Sequence, residues 1–267
     1  MRNFKRFSGK VIRQPRYSAR VAVQRARAYL AYYMDNGFAR APEAITFFLT
    51  YRCNLRCRMC GQWGDVGTSK DRPGKTMERD ISFTELKNIV DDIAFFRPNI
   101  TLFGGEPLLH HHVPDLVRHI KHNGLHCLMI TNGSLLGRHG DELIESGLDE
   151  LNVSLDGAGK LHDEIRGVPG LYYRVIDGLR HIARMKEEKK LRTPLVNLQC
   201  TINRYNYRYL DQMIEVAKEV QADALTFHNL IFLSSGILDQ QKPFDELLHC
   251  SSSGWKGFLF EPSIDPD

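Results

Sequence analysis

Six short apolar runs, each followed by a polar loop or a helical pattern, constrain the fold of this chain more than any other feature. The runs cover residues 44–49, 100–103, 126–130, 150–155, 195–202 and 224–230. Runs that are apolar on both faces are typical of parallel strands covered by helices. Several successive runs begin about 24 to 29 residues apart, which fits one strand–helix unit each. The chain is therefore predicted to have an α/β fold, either a doubly wound sheet or an open or partial barrel.

Helical periodicity and capping residues predict the segments between the runs. Ser82 with Glu85 three residues later is a capping-box pattern at the start of a helix over 82–96. Apolar residues at helical spacing predict further helices near 113–123, 138–146, 171–190 and 206–221. Beyond residue 231 the pattern weakens, and one more strand is predicted over 255–260.

The first 40 residues differ from the rest of the chain in charge. They contain ten Lys and Arg and one acidic residue, Asp35, whereas the whole chain has a net charge of +4. A helix is predicted from Ser18, as its N-cap, to about Asp35. The favoured interpretation is a basic helix that packs on the outside of the main domain and keeps its arginines in solvent. The alternatives are contact with an anionic surface, either nucleic acid or a phospholipid membrane, and an Arg-rich transit peptide.

These patterns divide the chain into three predicted parts. They are an N-terminal basic arm and helix (1–40), a main α/β domain (41–235) and a C-terminal extension (236–267), which is either a natural end or the start of a missing domain. No apolar stretch is long enough for a transmembrane helix, and no signal-peptide core follows Met1. The six cysteines are therefore not expected to form a disulfide framework, and the predicted location is cytoplasmic.

Three cysteines directly after the first apolar run carry the strongest chemical signal. Cys53, Cys57 and Cys60 are spaced four and three residues apart, so their thiols can converge on one inorganic centre. Thiolates suit zinc or an iron–sulfur cluster. A closed zinc site needs a fourth ligand nearby, and the next cysteine is Cys127. Three thiolates on a four-iron cluster instead leave one iron free to bind a reactant.

At this C-x3-C-x2-C spacing the sequence resembles the radical S-adenosylmethionine (SAM) superfamily, and the match covers roughly residues 44–230. The resemblance selects the partial (β/α)6 barrel, similar to a TIM barrel, among the possible folds. It also implies that Cys53, Cys57 and Cys60 bind a [4Fe-4S] cluster. In Gly104-Gly105-Glu106-Pro107, after the second strand, two glycines let the backbone approach a ligand without a Cβ in the way, and the proline fixes the turn. The run resembles the one that contacts the amino group of SAM in this superfamily.

Further SAM contacts are implied at the carboxyl ends of later strands, where parallel folds place their active sites. The residues concerned are Thr131, Asn132, Ser154, Asp156 and Arg166. Asp156 suits a ribose diol because a carboxylate accepts two hydrogen bonds, and Arg166 suits the SAM carboxylate. Met59 replaces the aromatic residue usual in this family, and its backbone is still expected to meet adenine.

Residues after the fifth and sixth strands are candidates for contact with adenine or substrate. They are Thr201, Asn203, His228 and Asn229, and a buried, backbone-bonded histidine is an equal alternative for His228. The run His110-His111-His112 is interpreted as exposed polar residues because adjacent helical residues do not face one another. Cys127 and Cys200 are expected to pack as small hydrophobes inside strands, and Cys250 has no predicted role.

The resemblance implies an enzyme that cleaves SAM reductively to a 5′-deoxyadenosyl radical, which abstracts hydrogen from a substrate. The implied partners are SAM, an unidentified small-molecule or peptide substrate, and an electron donor such as flavodoxin or ferredoxin. The Thr-Asn-Gly, Ser-Leu-Asp-Gly and Ile-Arg-Gly segments resemble the branch holding the molybdenum-cofactor cyclase and the peptide-maturing enzymes. Two other classes remain open: an iron–sulfur electron carrier and a zinc-stabilised nucleic-acid-binding protein.

Overall fold

Six parallel strands form a single sheet in the computed structural model of this chain. The structure describes residues 11–34, 37–64, 67–69, 80–231, 233–252, 255 and 258–259. The strands are β1 (Ala44–Phe48), β2 (Asn99–Phe103), β3 (His126–Thr131), β4 (Glu150–Ser154), β5 (Leu195–Ile202) and β6 (Ala224–Asn229).

Strand order distinguishes between the two predicted architectures. Each strand pairs in parallel with the next strand along the chain, so the sheet runs β1-β2-β3-β4-β5-β6 and stays open between β1 and β6 among the described residues. A doubly wound sheet reverses its strand order at a switch point, whereas a barrel keeps the order of the sequence. The prediction of an α/β fold with a partial (β/α)6 barrel is therefore confirmed.

Helices cover the sheet and precede it. They are α1 (Pro15–Tyr33), α2 (Phe83–Ile93), α3 (Val113–His122), α4 (Leu136–Glu145), α5 (Lys160–Arg166), α6 (Leu171–Glu188), α7 (Gln212–Glu219) and α8 (Ser235–Leu248). Short 3₁₀ turns follow α2 at Ala94–Phe96 and β2 at Pro107–Leu109.

The helix predictions hold best where local signals define the ends. Ser82 caps α2 through the predicted capping box with Glu85. In contrast, α1 begins at Pro15, which a first helical turn tolerates, so Ser18 lies inside the helix instead of capping it. The helix α7 begins later than predicted because residues 203–211 form turns, in which Asn206 accepts the Asn203 backbone N–H at 2.8 Å. Neither α5 nor α8 was predicted.

The hydrophobic core lies between the sheet and the apolar faces of the helices. Leu86 and Val90 on α2, Leu116 and Ile120 on α3 and Leu143 on α4 have no exposed surface. Each such side chain contributes roughly 1.5–3 kcal/mol by leaving water. The covering helices thus fix the positions of the strands, and the strands carry the polar loops of the candidate site at their carboxyl ends.

The basic helix α1 lies against the amino-terminal ends of the strands, on the edge of the sheet opposite those loops. Two of its contacts reach residues where strands begin: the Tyr17 ring stacks on His126 with centroids 3.9 Å apart, and Arg25 pairs with Glu43 at 2.9 Å. Arg13, two residues before the helix, pairs with Asp223 immediately before β6. Arg25 stays exposed, as expected for an arginine of this helix, and it also pairs with an acidic residue next to the sheet.

The C-terminal segment returns to the loop that carries the three cysteines. Leu233 and Leu259 form an isolated parallel bridge, and a Cβ placed on Gly61 would lie 2.5 Å from the Phe258 ring. A strand was predicted over 255–260. Among the described residues of that range, which are 255, 258 and 259, this one bridge is the only β-structure; the rest of the prediction lies outside the described residues. No helix in the described ranges combines the length and apolar character needed to cross a bilayer.

Candidate functional site

The loops that follow β1 to β4 meet at the carboxyl edge of the sheet, and their mutual contacts form the candidate site. The hydrogen bonds that join the cysteine loop (residues 49–60) to other segments include Gly105 N to Thr50 O (2.7 Å), Asn132 Nδ2 to Asn54 Oδ1 (2.9 Å) and Arg58 N to Ile165 O (3.0 Å). The cysteine loop is thus held by the loop after β2, the loop after β3 and the end of α5. Segments far apart in sequence therefore fix its shape.

Each of the three thiols accepts at least one N–H donor from the protein. The donors are Asn132 Nδ2 to Cys53 Sγ (3.9 Å), Arg166 Nη1 to Cys57 Sγ (3.8 Å) and Trp63 N to Cys60 Sγ (3.4 Å). Donors of this kind stabilise the thiolate form that binds a metal, and they tune the centre that the thiolates hold. Two of them, Asn132 and Arg166, lie among the predicted site residues.

Burial opposes ionisation of the thiols in the metal-free protein. Burial raises the pKa of Cys53 to about 11. It also raises the pKa of Cys57, although the positive charge of the nearby Arg166 partly opposes this increase. Among the described residues, no three His, Cys, Asp or Glu side chains are arranged to hold one metal ion. Thiolates on a four-iron cluster bind different irons and need not converge on a point.

The two glycines after β2 allow the backbone of the cysteine loop to approach closely. A Cβ on Gly105 would lie 2.2 Å from Arg52 O, and one on Gly104 would lie 2.7 Å from Thr50 O. Gly104 also has a φ of +152°, a conformation that favours glycine. The sequence suggested that these glycines make room for a ligand; in the structure they make room for the neighbouring loop.

Glu106 joins the loops after β2 and β3. Its buried carboxylate accepts hydrogen bonds from Thr131 Oγ1 at 2.7 Å, Asn132 N at 2.8 Å and Leu108 N at 3.1 Å. Burial raises the pKa of Glu106, and the hydrogen bonds from Asn132 and Thr131 oppose this shift. Pro107 is buried at the start of the adjoining 3₁₀ turn. The Glu106 side chain is therefore committed to holding the two loops together.

Asp156 and Arg166 form a buried ion pair below the cysteine loop. Arg166 Nη2 and Nε both reach Asp156 Oδ2, at 2.6 and 2.7 Å, and the Asp156 side chain has no exposed surface. Burial alone would lower the pKa of Arg166, but the Asp156 carboxylate and the Cys57 sulfur outweigh it and raise the pKa, so the guanidinium stays charged. A ribose diol would reach the Asp156 carboxylate only after this pair had rearranged.

Three further residues support the site and were not predicted from the sequence. His162 Nδ1 accepts the Asp156 backbone N–H at 3.1 Å, and burial followed by the nearby Arg166 keeps the pKa of His162 well below its usual value. Asn206 Nδ2 donates to Asp156 O at 2.9 Å. Trp63 donates its backbone N–H to Cys60 Sγ. Of these three residues, it alone could have been found from the sequence, because it follows the last motif cysteine by three residues.

Other predicted residues lie at the same edge with differing exposure. Met59 and Ser154 are partly buried, and Thr201 N donates to Asp156 Oδ1 at 2.9 Å. His228 and Asn229 are exposed at the end of β6, so the alternative of a buried His228 is wrong. Asn203 is buried and donates through Nδ2 to the Thr201 carbonyl at 3.0 Å.

The remaining histidine and cysteine interpretations have mixed outcomes. The prediction that the His110 side chain is exposed is wrong: it is buried, and its Nε2 lies 3.0 Å from Ile81 O. Cys127 and Cys200 are fully buried within their strands, which confirms the predicted packing. Cys250 is exposed.

The chain belongs to the radical SAM superfamily, since a family model of that description matches residues 47–217. This superfamily uses a [4Fe-4S] cluster and SAM, which confirms the two expected cofactors. The fold is also that of SuiB from Streptococcus suis, solved bound to S-adenosylmethionine: the TM-score is 0.62 at 16% identity, covering 85% of this chain and 51% of that one.

Two curated relatives illustrate the range of enzymes to which this chain is similar. Fe-coproporphyrin III synthase from Methanosarcina barkeri is 30% identical over 194 residues, 72% of this chain and 45% of the relative. GTP 3′,8-cyclase from Chlorobaculum tepidum is 38% identical over 126 residues, 46% of this chain and 36% of the relative. The chain spans about half the length of the curated relatives it matches, or less.

Proposed function

We propose that this chain is the SAM-cleaving core of a radical SAM enzyme, with Cys53, Cys57 and Cys60 as the ligands of its cluster. One observation carries the proposal: three thiols, each accepting an N–H donor of the protein, lie in one loop at the carboxyl edge of an open parallel sheet. Membership of the superfamily supports the same conclusion.

The residues at this edge fit the two cofactors. The thiols are soft ligands suited to iron, and three of them leave the fourth iron of a [4Fe-4S] cluster for the amino and carboxylate groups of SAM. When bound and reduced by one electron, the cluster supplies the electron for reductive cleavage of SAM. The protein provides binding, orientation and exclusion of water.

The predicted SAM contacts divide into two groups by their burial. We propose Met59 and Ser154 as direct contacts, together with the backbone of residues 104–107, because these two side chains are only partly buried. Glu106, Thr131, Asn132 and Asp156 are buried and bonded to neighbouring segments, and we propose that they shape the site.

For the substrate and the electron donor, we propose only a chemical class. The names of the two curated relatives describe different reactions, so no substrate transfers from them to this chain. We propose a small-molecule or peptide substrate, an external one-electron donor such as flavodoxin or ferredoxin, and a cytoplasmic location. We also propose the division of the chain into an arm (1–40), the core (41–235) and an extension (236–267).

Anaerobic reconstitution with iron and sulfide, followed by dithionite and SAM, tests the proposal. We expect chromatography to detect 5′-deoxyadenosine with the wild-type protein and none with the Cys53→Ala, Cys57→Ala, Cys60→Ala triple variant. Cys250→Ala is the matched control, because Cys250 is exposed and lies outside the cysteine loop, and it should retain cleavage.

The other outcomes distinguish the alternatives. Wild-type protein that binds a cluster and leaves SAM intact would indicate an iron–sulfur carrier. Zinc bound in place of iron after anaerobic purification would overturn the proposal and favour the zinc-stabilised protein.

A further inference from the structure

We propose that Arg166, held in place by the buried carboxylate of Asp156, raises the reduction potential of the cluster through its hydrogen bond to Cys57. The inference rests on the proposed function, because it concerns a cluster bound by that cysteine. It assigns both residues a positioning role in place of the direct SAM contacts implied by the family resemblance.

Asp156 fixes the direction of the guanidinium group. Nη2 and Nε of Arg166 lie 2.6 and 2.7 Å from Asp156 Oδ2, which leaves Nη1 to donate to Cys57 Sγ at 3.8 Å. The carboxylate is itself held, because its Oδ1 accepts Thr201 N at 2.9 Å and the Asp156 backbone N–H donates to His162 Nδ1 at 3.1 Å. The direction of Arg166 is therefore set by the ends of β4 and β5.

Arg166 differs in charge from the donors to the other two thiols. Cys53 accepts from the neutral amide of Asn132, and Cys60 accepts from the backbone of Trp63. The Arg166 side chain is 11% exposed, so solvent screens its charge weakly. Reduction adds one negative charge to a cluster, and a nearby cation stabilises the more negative state. Arg166 thus favours uptake of an electron from the external reductant.

Asp156 lies on the far side of the guanidinium from the thiol, which allows the two charges to be separated by mutation. Arg166→Met removes the cation and the donor and leaves the Asp156 carboxylate, which disfavours added negative charge. The double variant Asp156→Asn, Arg166→Met removes both charges and leaves no unpaired buried carboxylate. The potential should therefore fall from wild type to the double variant, and further to Arg166→Met.

Redox titration with dithionite, followed by electron paramagnetic resonance of the reduced cluster, measures the effect directly. Iron and sulfide contents are determined first, so that only fully loaded samples are compared. At the potential where the wild-type cluster is half reduced, we expect the ratio of reduced to oxidised cluster in Arg166→Met to be about tenfold lower, a shift of about 59 mV for a one-electron couple. The matched control Arg174→Met removes an exposed arginine and should titrate like wild type.

The double variant separates this inference from a purely structural role of the ion pair. If the pair only joins β4 to α5, the double variant should bind the cluster with the wild-type potential, and that result would overturn the inference. Failure of both variants to bind a cluster that the wild type binds would also overturn it, in favour of a role in assembly. Failure of the wild type itself to bind a cluster would instead refute the proposed function.

Discussion

Replacing Gly105 by alanine tests how the cysteine loop is held against the sheet. The added Cβ would lie 2.2 Å from Arg52 O and 2.7 Å from Tyr51 O, both backbone atoms. Nonbonded carbon and oxygen atoms come no closer than roughly 3 Å, so the two loops would have to separate by roughly 1 Å. No side-chain rotation relieves this collision, since both partners are main chain.

The magnitude follows from the hydrogen bonds that such a separation breaks. Gly105 N donates to Thr50 O at 2.7 Å, and Glu106 N donates to Arg52 O at 2.8 Å. Each bond contributes about 0.5–1.5 kcal/mol, and burying a polar group without a partner costs about 1–3 kcal/mol. We therefore expect Gly105→Ala to lower the free energy of unfolding by about 2–4 kcal/mol.

Urea unfolding of the metal-free protein measures this change. Gly137→Ala on α4 is the matched control, because a Cβ there meets no atom within 4 Å. That control should stabilise the protein by up to about 1 kcal/mol, as alanine does in helices. An unfolding free energy for Gly105→Ala within about 0.5 kcal/mol of wild type, the size typical of a harmless surface change, would refute the reasoning. We also expect less iron per chain after reconstitution.

Three further predictions concern the stability of the fold. Ser82→Ala removes the cap of α2 and its exchange of hydrogen bonds with Glu85, so thermal unfolding should show a loss of about 1 kcal/mol. Burial and then the Glu150 carboxylate raise the pKa of Tyr17 from 10.0 to about 12. The neutral phenol therefore contributes stability that is complete below pH 10 and is lost as the pH rises to about 12. Absorbance titration of tyrosinate should show a late step that is absent in Tyr17→Phe. Asn206→Ala removes the donor to the Asp156 carbonyl, and urea unfolding should show a loss of about 1–3 kcal/mol.

The sequence was most informative where the physical cause is local. The cysteines lie within one short loop, so their spacing alone indicates a metal centre. Ser82 and Glu85 define the start of α2 because a capping box needs only residues of one helical turn. The runs apolar on both faces predicted the parallel sheet, and the turns after them predicted the edge at which polar residues collect.

Contacts between residues far apart in sequence were decided only by the tertiary structure. Ion pairs and close backbone approaches depend on which elements become neighbours, and no pattern of spacing records that. The glycine-rich turn was therefore interpreted as leaving space for a ligand, whereas the space beside Gly105 is occupied by the backbone of Arg52. The arginines of α1 were expected in solvent, and Arg25 is exposed there, but only the structure shows that it pairs with Glu43 before β1.

For the candidate site, the sequence by itself determined which residues are the candidate cluster ligands, and the tertiary structure decided which contacts the supporting polar residues make. From the sequence, Asp156 and Arg166 were interpreted as separate ligands for SAM, because each has a suitable charge. Folding brings them together below Cys57, which is 109 residues from Arg166 along the chain. Their pairing could not be predicted from composition or motif, because it depends on how the end of β4 and α5 pack beneath the cysteine loop.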